Sequence, residues 1–130
     1  MYKVAILLST FNGEKFIKEQ LTSIRNQKKV KIKIFIIDDG STDNTLKIIK
    51  NFNIPKKIFK TKNFLNPVKN FLYLIDKVPR NFDFYCFADQ DDFWLPNKLF
   101  YSISQIKKCK AHVCGSRSFY TDESLNIIGK

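Results

Sequence analysis

Three carboxylates lie within four residues in the stretch Asp89–Asp92, directly after an apolar run that ends at Ala88. Carboxylates this close repel one another, which costs stability unless a cation or hydrogen bonds offset the charge. The stretch contains no histidine or cysteine, and aspartate oxygens alone suit a hard ion such as Mg²⁺ or Mn²⁺. Mg²⁺ usually takes one or two protein carboxylates and completes its shell with water and substrate phosphates. The stretch therefore predicts a metal site that also holds a diphosphate.

Two further polar clusters follow predicted strands of the same chain. The segment Ser9–Asn12 comes after the apolar run Val4–Leu8, and the pair Asp38 and Asp39 comes directly after Ile37. In open parallel sheets, ligands bind in the crevice outside the carboxyl ends of the strands. Because all three clusters fall at such ends, we expect them to form one site. A second interpretation stays open, because Asp and Asn are also favoured in turns and helix caps without any ligand.

The elements that must position these clusters alternate between strand and helix. The predicted strands are apolar or alternating runs, and they cover Val4–Leu8, Val30–Ile37, Lys57–Lys62, Phe82–Ala88, Ala111–Gly115 and, more weakly, Ser118–Thr121. The exposed lysines of the third strand place it near a sheet edge. Alternation of this kind calls for right-handed crossovers. The expected fold class is therefore α/β, with an open, mostly parallel sheet and helices on both faces.

Helices are predicted where apolar residues recur three or four positions apart. Asn12 is expected to cap the first helix, and Asn66 followed by Pro67 is expected to begin the third. Pro96 is expected to open the last one. The inward-facing residues are Ile17, Leu21 and Ile24 in the first helix, Leu46 and Ile49 in the second, Val68, Phe71, Leu72 and Ile75 in the third, and Leu99, Ile103 and Ile106 in the fourth.

Composition bounds the class of protein. The 130 residues fit a single domain, residues 1–130, and the 44% hydrophobic and 15% aromatic content excludes a disordered chain. The formal charge of +11 raises the question of a nucleic-acid partner. The lysines are scattered, however, and three acidic clusters at the expected crevice would repel phosphates in the absence of metal. We therefore predict no nucleic-acid partner and favour anionic substrates and anionic lipid surfaces.

The cysteines and the apolar runs indicate a location. Cys86, Cys109 and Cys114 have no CxxC spacing and leave one cysteine unpaired in any disulfide scheme, so we interpret them as reduced core residues. No apolar run approaches the length of about 20 residues that a membrane span needs. The start of the chain is too quickly polar for a signal peptide. We expect a cytoplasmic protein, with the inner face of the membrane as the surface where it would work.

Three segments together resemble those of family 2 glycosyltransferases of the GT-A fold. "VAILLSTFNGEKFIKEQLTSIRNQ" resembles the opening strand and helix of that family, and "IIDDGSTDNT" resembles its second-strand signature. "FADQDDFWLPNKL" resembles its DXD loop, in the form common among bacterial capsule, O-antigen and rhamnan enzymes. The resemblance covers essentially the whole chain. It implies the Rossmann-like nucleotide-sugar-binding half of that fold.

The resemblance implies roles for the residues at the base end of a donor. Thr10 and Phe11 would contact the nucleotide base, with Phe11 as the stacking aromatic. Asn12 and Glu14 would lie beside it. Asp38 would bind the base or the ribose.

It also implies roles at the diphosphate end. Asp89 and Asp91 would form the DXD pair, with Asp91 as the direct metal ligand. Asp89 would contact the ribose or, through water, the metal. Asp39 would support its loop, and Asp92 and Trp94 would lie behind the carboxylates.

The activity implied is inverting transfer of a sugar from a UDP- or dTDP-linked donor to a hydroxyl of a saccharide or lipid-linked acceptor, in surface polysaccharide synthesis. Mg²⁺ or Mn²⁺ would stabilise the leaving diphosphate. Family members place the catalytic base in a later, acceptor-binding half. Asp122 and Glu123 come too early for that base, so we assign no catalytic residue and expect the chain to end before the acceptor half. The alternative is a catalytically inactive nucleotide-sugar-binding or interaction module from a truncated gene.

Overall fold

The computed structural model describes residues 1–59 and 64–129. The chain divides into two compact units, Met1–Phe100 and Tyr101–Lys130. All three polar clusters found in the sequence belong to the first unit.

The first unit is built around a parallel sheet. In chain order its elements are β1 (Tyr2–Thr10), α1 (Ile17–Arg25), β2 (Val30–Asp38), α2 (Thr45–Asn51), β3 (Lys56–Phe59), α3 (Pro67–Lys77) and β4 (Phe84–Ala88), followed by the start of α4 (Lys98–Cys109). The strands lie in the order β3-β2-β1-β4, and each pairing is parallel. The predicted α/β fold class with an open parallel sheet is confirmed.

The direction of the chain across this sheet reverses after β3. It runs outward from β1 to β2 to β3, and then returns to place β4 on the other side of β1. Right-handed crossovers therefore put α1 and α2 on one face and α3 on the opposite face. The connections that follow β1 and β4 leave from neighbouring strands. The space at their carboxyl ends is the topological switch point, where sheets of this kind bind ligands.

Both faces of the sheet are buried. On one face, Leu74 of α3 is buried in a cluster with Ala5, Leu7, Phe35 and Ile37. Alternate residues of β1 and β2 point to the opposite face, and these are fully buried as well: Val4, Ile6, Leu8, Ile34 and Ile36. Burial on both faces is the physical reason for the continuous apolar runs in the sequence.

β2 and β3 follow the sequence prediction. β2 begins half-exposed and is buried from Ile34 to Asp38. β3 lies at the edge of the sheet, as its exposed lysines predict. The structure gives β3 as Lys56–Phe59, and the remainder of the predicted strand, residues 60–62, lies outside the described residues.

The two predicted asparagine caps have different outcomes. At α3 the cap is confirmed, because the Asn66 side chain accepts a hydrogen bond from Lys69 N at 3.2 Å. At α1 the prediction is wrong: the helix begins at Ile17 and has no side-chain cap. Asn12 has a φ of 45°, and its Oδ1 accepts a hydrogen bond from Thr42 N at 2.9 Å. The Asn12 side chain therefore joins two loops and does not form the cap of α1 that the local sequence predicted.

The inward face of α3 differs from the predicted stripe. Phe71 packs against the core cluster as expected. Val68 and Leu72 are 65% and 60% exposed, so their predicted burial is wrong. The helix is rotated so that Asn70 and Leu74 face inward instead. The helix is rotated in this way because the Asn70 amide has hydrogen-bond partners at the ends of the strands.

The second unit contains little regular structure beyond α4. β5 (Tyr120–Thr121) pairs antiparallel with β6 (Ile127–Gly129), which bears out the weaker strand predicted near Thr121. The predicted strand Ala111–Gly115 is wrong, since these residues form no strand and Val113 is 83% exposed. A strand needs a partner for its backbone hydrogen bonds, and β5 and β6 pair with each other.

The cysteines are free thiols but not core residues. Cys109 is exposed, and Cys86 and Cys114 are half-buried, so the predicted core position is wrong. Burial raises the pKa of the Cys86 thiol.

Within residues 1–59 and 64–129, no helix has the length and apolar character needed to cross a bilayer.

Candidate functional site

A cavity of about 500 Å³ lies at the carboxyl ends of the strands in the first unit. Its wall includes Ser9, Thr10 and Phe11 at the end of β1, Asp39 after β2 and residues 89–91 after β4. The loop before α3 and the first turn of that helix complete it. Five of the predicted site residues therefore line one space: Thr10, Phe11, Asp39, Asp89 and Asp91.

Asp38 lies beneath this wall and does not line the cavity. It is 3% exposed. Its Oδ1 accepts hydrogen bonds from Thr10 Oγ1 at 2.9 Å and from Ser41 Oγ at 2.6 Å, and its Oδ2 accepts one from Ser41 N at 2.9 Å. The carboxylate thus fixes the end of β1 to the loop that follows β2.

Asp39 connects β1, β2 and the start of α3. Its backbone N donates to Thr10 O at 2.8 Å. Its Oδ2 accepts hydrogen bonds from Asn66 N at 3.2 Å and from Asn70 Nδ2 at 3.0 Å. Asp39 is 4% exposed. Its carboxylate therefore joins the loop after β2 to the start of α3.

Asn70 is a site residue that the sequence prediction missed. Its Nδ2 donates to Ser9 Oγ as well as to Asp39, at 3.0 Å in each case, and the residue is 1% exposed. In the part of the chain that the structure describes, its Oδ1 is a buried side-chain oxygen without a hydrogen-bond partner. A buried amide facing a cavity with an unused acceptor is a polar group that a ligand can satisfy. No signal in the sequence marked it, because the apolar stripe predicted for α3 does not include position 70.

Asn12 and Glu14 lie outside the cavity and join two loops. Asn12 N donates to Ser41 Oγ at 2.9 Å. Glu14 Oε2 accepts hydrogen bonds from the backbone N and the Nδ2 of Asn44, at 2.8 and 2.9 Å. Glu14 N donates to Asp43 Oδ2 at 3.0 Å. The loops after β1 and β2 are therefore held together as one rim.

The acidic stretch after β4 concentrates negative charge around Asp89. Burial raises the pKa of the Asp89 carboxyl, and the nearby charges of Asp92 and Asp91 raise it further. All three causes disfavour the charged form. This is the electrostatic environment that a bound cation relieves.

Buried polar side chains of α1 and of the turn that follows it hold the loop after β4. Gln20, Ser23 and Gln27 are 0%, 2% and 7% exposed. Gln20 Nε2 donates to Asp89 O at 2.9 Å, and Ser23 Oγ accepts from Trp94 N at 3.1 Å. Gln27 Nε2 donates to the carbonyl oxygen of residue 95 at 2.7 Å. Trp94 itself is 3% exposed.

The residues present fit a metal that needs few protein ligands. Within the described ranges, no group of three or more His, Cys, Asp and Glu side chains comes together as a metal cage. Asp89 and Asp91 nevertheless line the same cavity. Mg²⁺ is commonly bound by one or two carboxylates together with substrate phosphates. The donor set therefore suits a metal that arrives with a phosphate ligand.

Fold and site together define the class of the first unit. An open parallel sheet with a polar cavity at its switch point is the arrangement of doubly wound α/β domains that bind ligands at the carboxyl ends of their strands. Residues 5–129 match the family described as "Glycosyl transferase family 2". The chain belongs to this family.

A curated relative supports the assignment. The chain is 39% identical over 131 residues to "dTDP-rhamnosyl transferase RfbG" of Shigella flexneri, an alignment that covers 95% of this chain and 45% of the relative. The chain thus spans less than half the length of this relative.

Solved structures show the same fold. S. aureus TarS 1-349 in complex with UDP superposes with a TM-score of 0.74 at 24% identity, covering 89% of this chain and 38% of that one. The mannosyltransferase PcManGT from Pyrobaculum calidifontis, in complex with GDP-Man and Mn²⁺, superposes with a TM-score of 0.69 at 17% identity, covering 79% and 32%. The predicted GT-A type of fold is confirmed.

Proposed function

We propose that this chain binds a nucleoside-diphosphate sugar together with Mg²⁺ or Mn²⁺, and that it serves inverting sugar transfer to an acceptor hydroxyl in surface polysaccharide synthesis. The cavity at the switch point carries the proposal, because it brings Phe11, Asp39, Asp89 and Asp91 around one space of about 500 Å³. Small-molecule sites usually have volumes of about 300–1,000 Å³.

The base end of the donor is assigned to the wall formed by β1. Phe11 is 46% exposed, so its ring has a free surface on which a base can stack. Thr10 is fixed by Asp38 and by the backbone of Asp39. We assign Asp38 to the base or ribose end, where it acts by holding Thr10 and Ser41 in place. Asn12 and Glu14 support this end by joining the two loops of the rim.

The diphosphate end is assigned to the wall formed by residues 89–91. Asp91 would hold the metal directly, and Asp89 would contact it through water or bind the ribose. When bound, a divalent ion there stabilises the negative charge that develops on a leaving diphosphate. The N-terminus of α3 faces the same cavity, and helix N-termini favour phosphate groups.

The catalytic base is not assigned to any residue of this chain. Asp122 accepts hydrogen bonds from Asn126 Nδ2, Asn126 N and Ser124 N, each at 2.9 Å. The side-chain hydrogen bond from Asn126, followed by the backbone one, lowers the pKa of Asp122. A general base works best when its pKa lies near the operating pH, so this carboxylate is poorly suited. We propose instead that a carboxylate from another segment or chain acts as the base, and an inactive donor-binding module is the alternative.

The choice of nucleotide and surface follows from similarity and charge. The name of the Shigella flexneri relative specifies a dTDP-linked donor, so dTDP is the first probe and UDP the second. The acceptor would be a saccharide or a lipid-linked saccharide. The net charge of +11 favours a location at the anionic inner face of the membrane.

The experiment is a calorimetric titration of dTDP and UDP with and without Mn²⁺. We expect Mn²⁺ to increase the affinity of the wild type, and Asp91→Asn to lose most of that increase. Even residues behind a metal ligand usually contribute about tenfold or more to metal affinity, so a direct ligand should contribute at least as much.

Asp76→Asn is the matched control, because Asp76 lies outside the cavity in an exposed ion pair with Lys77 at 2.8 Å. Equal affinity of wild type and Asp91→Asn in Mn²⁺ would refute the site assignment. Turnover of a dTDP-sugar by the isolated chain would exclude the inactive-module alternative.

A further inference from the structure

The side chain of Gln90, which lies between the carboxylates Asp89 and Asp91, reaches across to the end of β1. Its Oε1 accepts a hydrogen bond from Phe11 N at 2.9 Å, and its Nε2 donates to Phe11 O at 3.0 Å. We propose that Gln90 is a positioning residue that locks the base-binding backbone at Phe11 to the loop that carries the metal-binding carboxylates. The inference rests on the proposed function.

The position of this contact explains why it is needed. β1 and β4 pair along their length as far as Leu8 and Ala88, and the two chains separate beyond that point. Phe11 and Gln90 come shortly after the last pair. The side-chain amide of Gln90 satisfies both the N–H and the C=O of Phe11, as a neighbouring strand would. It therefore continues the connection between the chains across the mouth of the cavity.

A glycine leaves room for the amide. A Cβ added at Gly13 would lie 2.3 Å from Gln90 Oε1 and 2.6 Å from its Cδ. Any side chain at position 13 would have to displace the Gln90 amide. Gly13 has no positive φ to account for the glycine, so space for Gln90 is the constraint that the structure shows at this position.

The loop after β4 is held from its other side as well. Gln20 Nε2 of α1 donates to Asp89 O at 2.9 Å. The backbone of Asp89 is thus fixed to α1, while the next side chain is fixed to Phe11. A shift of the carboxylates must therefore disturb Phe11, and ordering of Phe11 by a base must restrict the carboxylates. Nucleotide and metal should consequently strengthen each other's binding through Gln90.

The test compares Gln90→Met, which keeps the length of the side chain but removes both hydrogen bonds, with wild type. Gly13→Ala is the second variant, because it displaces the amide without changing Gln90. Gln105→Ala is the control, since Gln105 is an exposed glutamine outside the site. The first readout is hydrogen exchange of the Phe11 amide in the free protein. The second is dTDP affinity with and without Mn²⁺.

We expect the Phe11 amide to exchange at least about tenfold faster in both variants, since its hydrogen bond to Gln90 is lost. The Mn²⁺-dependent gain in dTDP affinity should fall by roughly tenfold, the effect of one or two hydrogen bonds. Gly13→Ala made in the Gln90→Met background should add little to either effect.

Wild-type exchange at Phe11 in Gln90→Met would overturn the inference, and so would faster exchange with an unchanged Mn²⁺-dependent gain. In both cases the wild type still binds dTDP, so the proposed function stands. Failure of the wild type itself to bind dTDP or UDP would overturn the proposed function and the inference together.

Discussion

Asn70→Asp changes one buried amide nitrogen into an oxygen where α3 meets the ends of β1 and β2. In the native chain, Asn70 Nδ2 donates to Asp39 Oδ2 and to Ser9 Oγ, both at 3.0 Å. Asn70 is 1% exposed and Asp39 is 4% exposed, so water screens this contact poorly. In the variant, a carboxyl group faces the Asp39 carboxylate at hydrogen-bond distance. Burial and the like charge therefore raise the pKa of the new carboxyl in the folded state.

The magnitude follows from this pKa shift. Buried carboxyl groups shift by up to about 3–5 pKa units, and each unit corresponds to about 1.4 kcal/mol. We expect the variant to lose about 4 kcal/mol of unfolding free energy at pH 7. A raised folded-state pKa gives stability that is present below the unfolded pKa of about 3.9 and is lost as the pH rises. Below that pH the protonated group can donate to Asp39, so the deficit should be small.

The assay is urea unfolding followed by the fluorescence of Trp94, the single and buried tryptophan, between pH 4 and pH 8. Asn53→Asp is the control, because it makes the same chemical change at an exposed position. A surface substitution of that kind should stay within about 0.5 kcal/mol of wild type. If Asn70→Asp is as stable as this control at pH 7, or if its deficit does not change with pH, the assigned contact with Asp39 is wrong.

Two further predictions concern the acidic stretch and the core. Because burial and the charges of Asp92 and Asp91 raise the pKa of Asp89, ionised Asp89 disfavours folding, and Asp89→Asn should raise the free energy of unfolding at pH 7 in a chelator. This gain should shrink as the pH falls towards the ordinary pKa of 3.8, and urea unfolding that shows no gain at pH 7 would contradict the electrostatic account. Leu74→Ala should cost about 2–5 kcal/mol, since Leu74 is fully buried. Leu72→Ala on the 60% exposed face should cost little by the same unfolding assay. If Leu72→Ala instead costs more unfolding free energy than Leu74→Ala, the stripe predicted for α3, with Leu72 facing inward, is correct.

The strands and the place of the site could be predicted from local sequence. Val4–Leu8 is apolar throughout because both of its faces are buried, and that pattern needs no knowledge of neighbours. Polar residues that follow such a run mark the carboxyl end of a strand. The sheet then brings those ends together, which is why Thr10, Phe11, Asp39, Asp89 and Asp91 line one cavity as expected.

Side-chain partners across loops could not be predicted in this way. Asn12 has the residue type of a helix cap, but Thr42 N competes for its oxygen from another loop. In α3, the apolar spacing predicted Val68 and Leu72 to face inward, but the buried amide of Asn70 makes hydrogen bonds that favour a different inward face. Gln90 gives no local signal, because its partner is the backbone of Phe11, 79 positions earlier in the chain. Each of these three cases arises from a hydrogen bond between segments that only the fold brings together.

The carboxylates at the ends of the strands fall into two electrostatic groups. Desolvation acts to raise the pKa of Asp43, but hydrogen bonds from Thr45 and from the backbone of Glu14 outweigh it and hold that pKa below its usual value. For Asp89 every cause acts in the opposite direction, because burial and the charges of Asp92 and Asp91 all disfavour ionisation. A carboxylate with protein donors stabilises its loop without any ligand. A carboxylate whose environment opposes its charge is stabilised when a cation binds, and this difference is the electrostatic reason for proposing the metal at the stretch after β4 rather than at the acidic loop after β2.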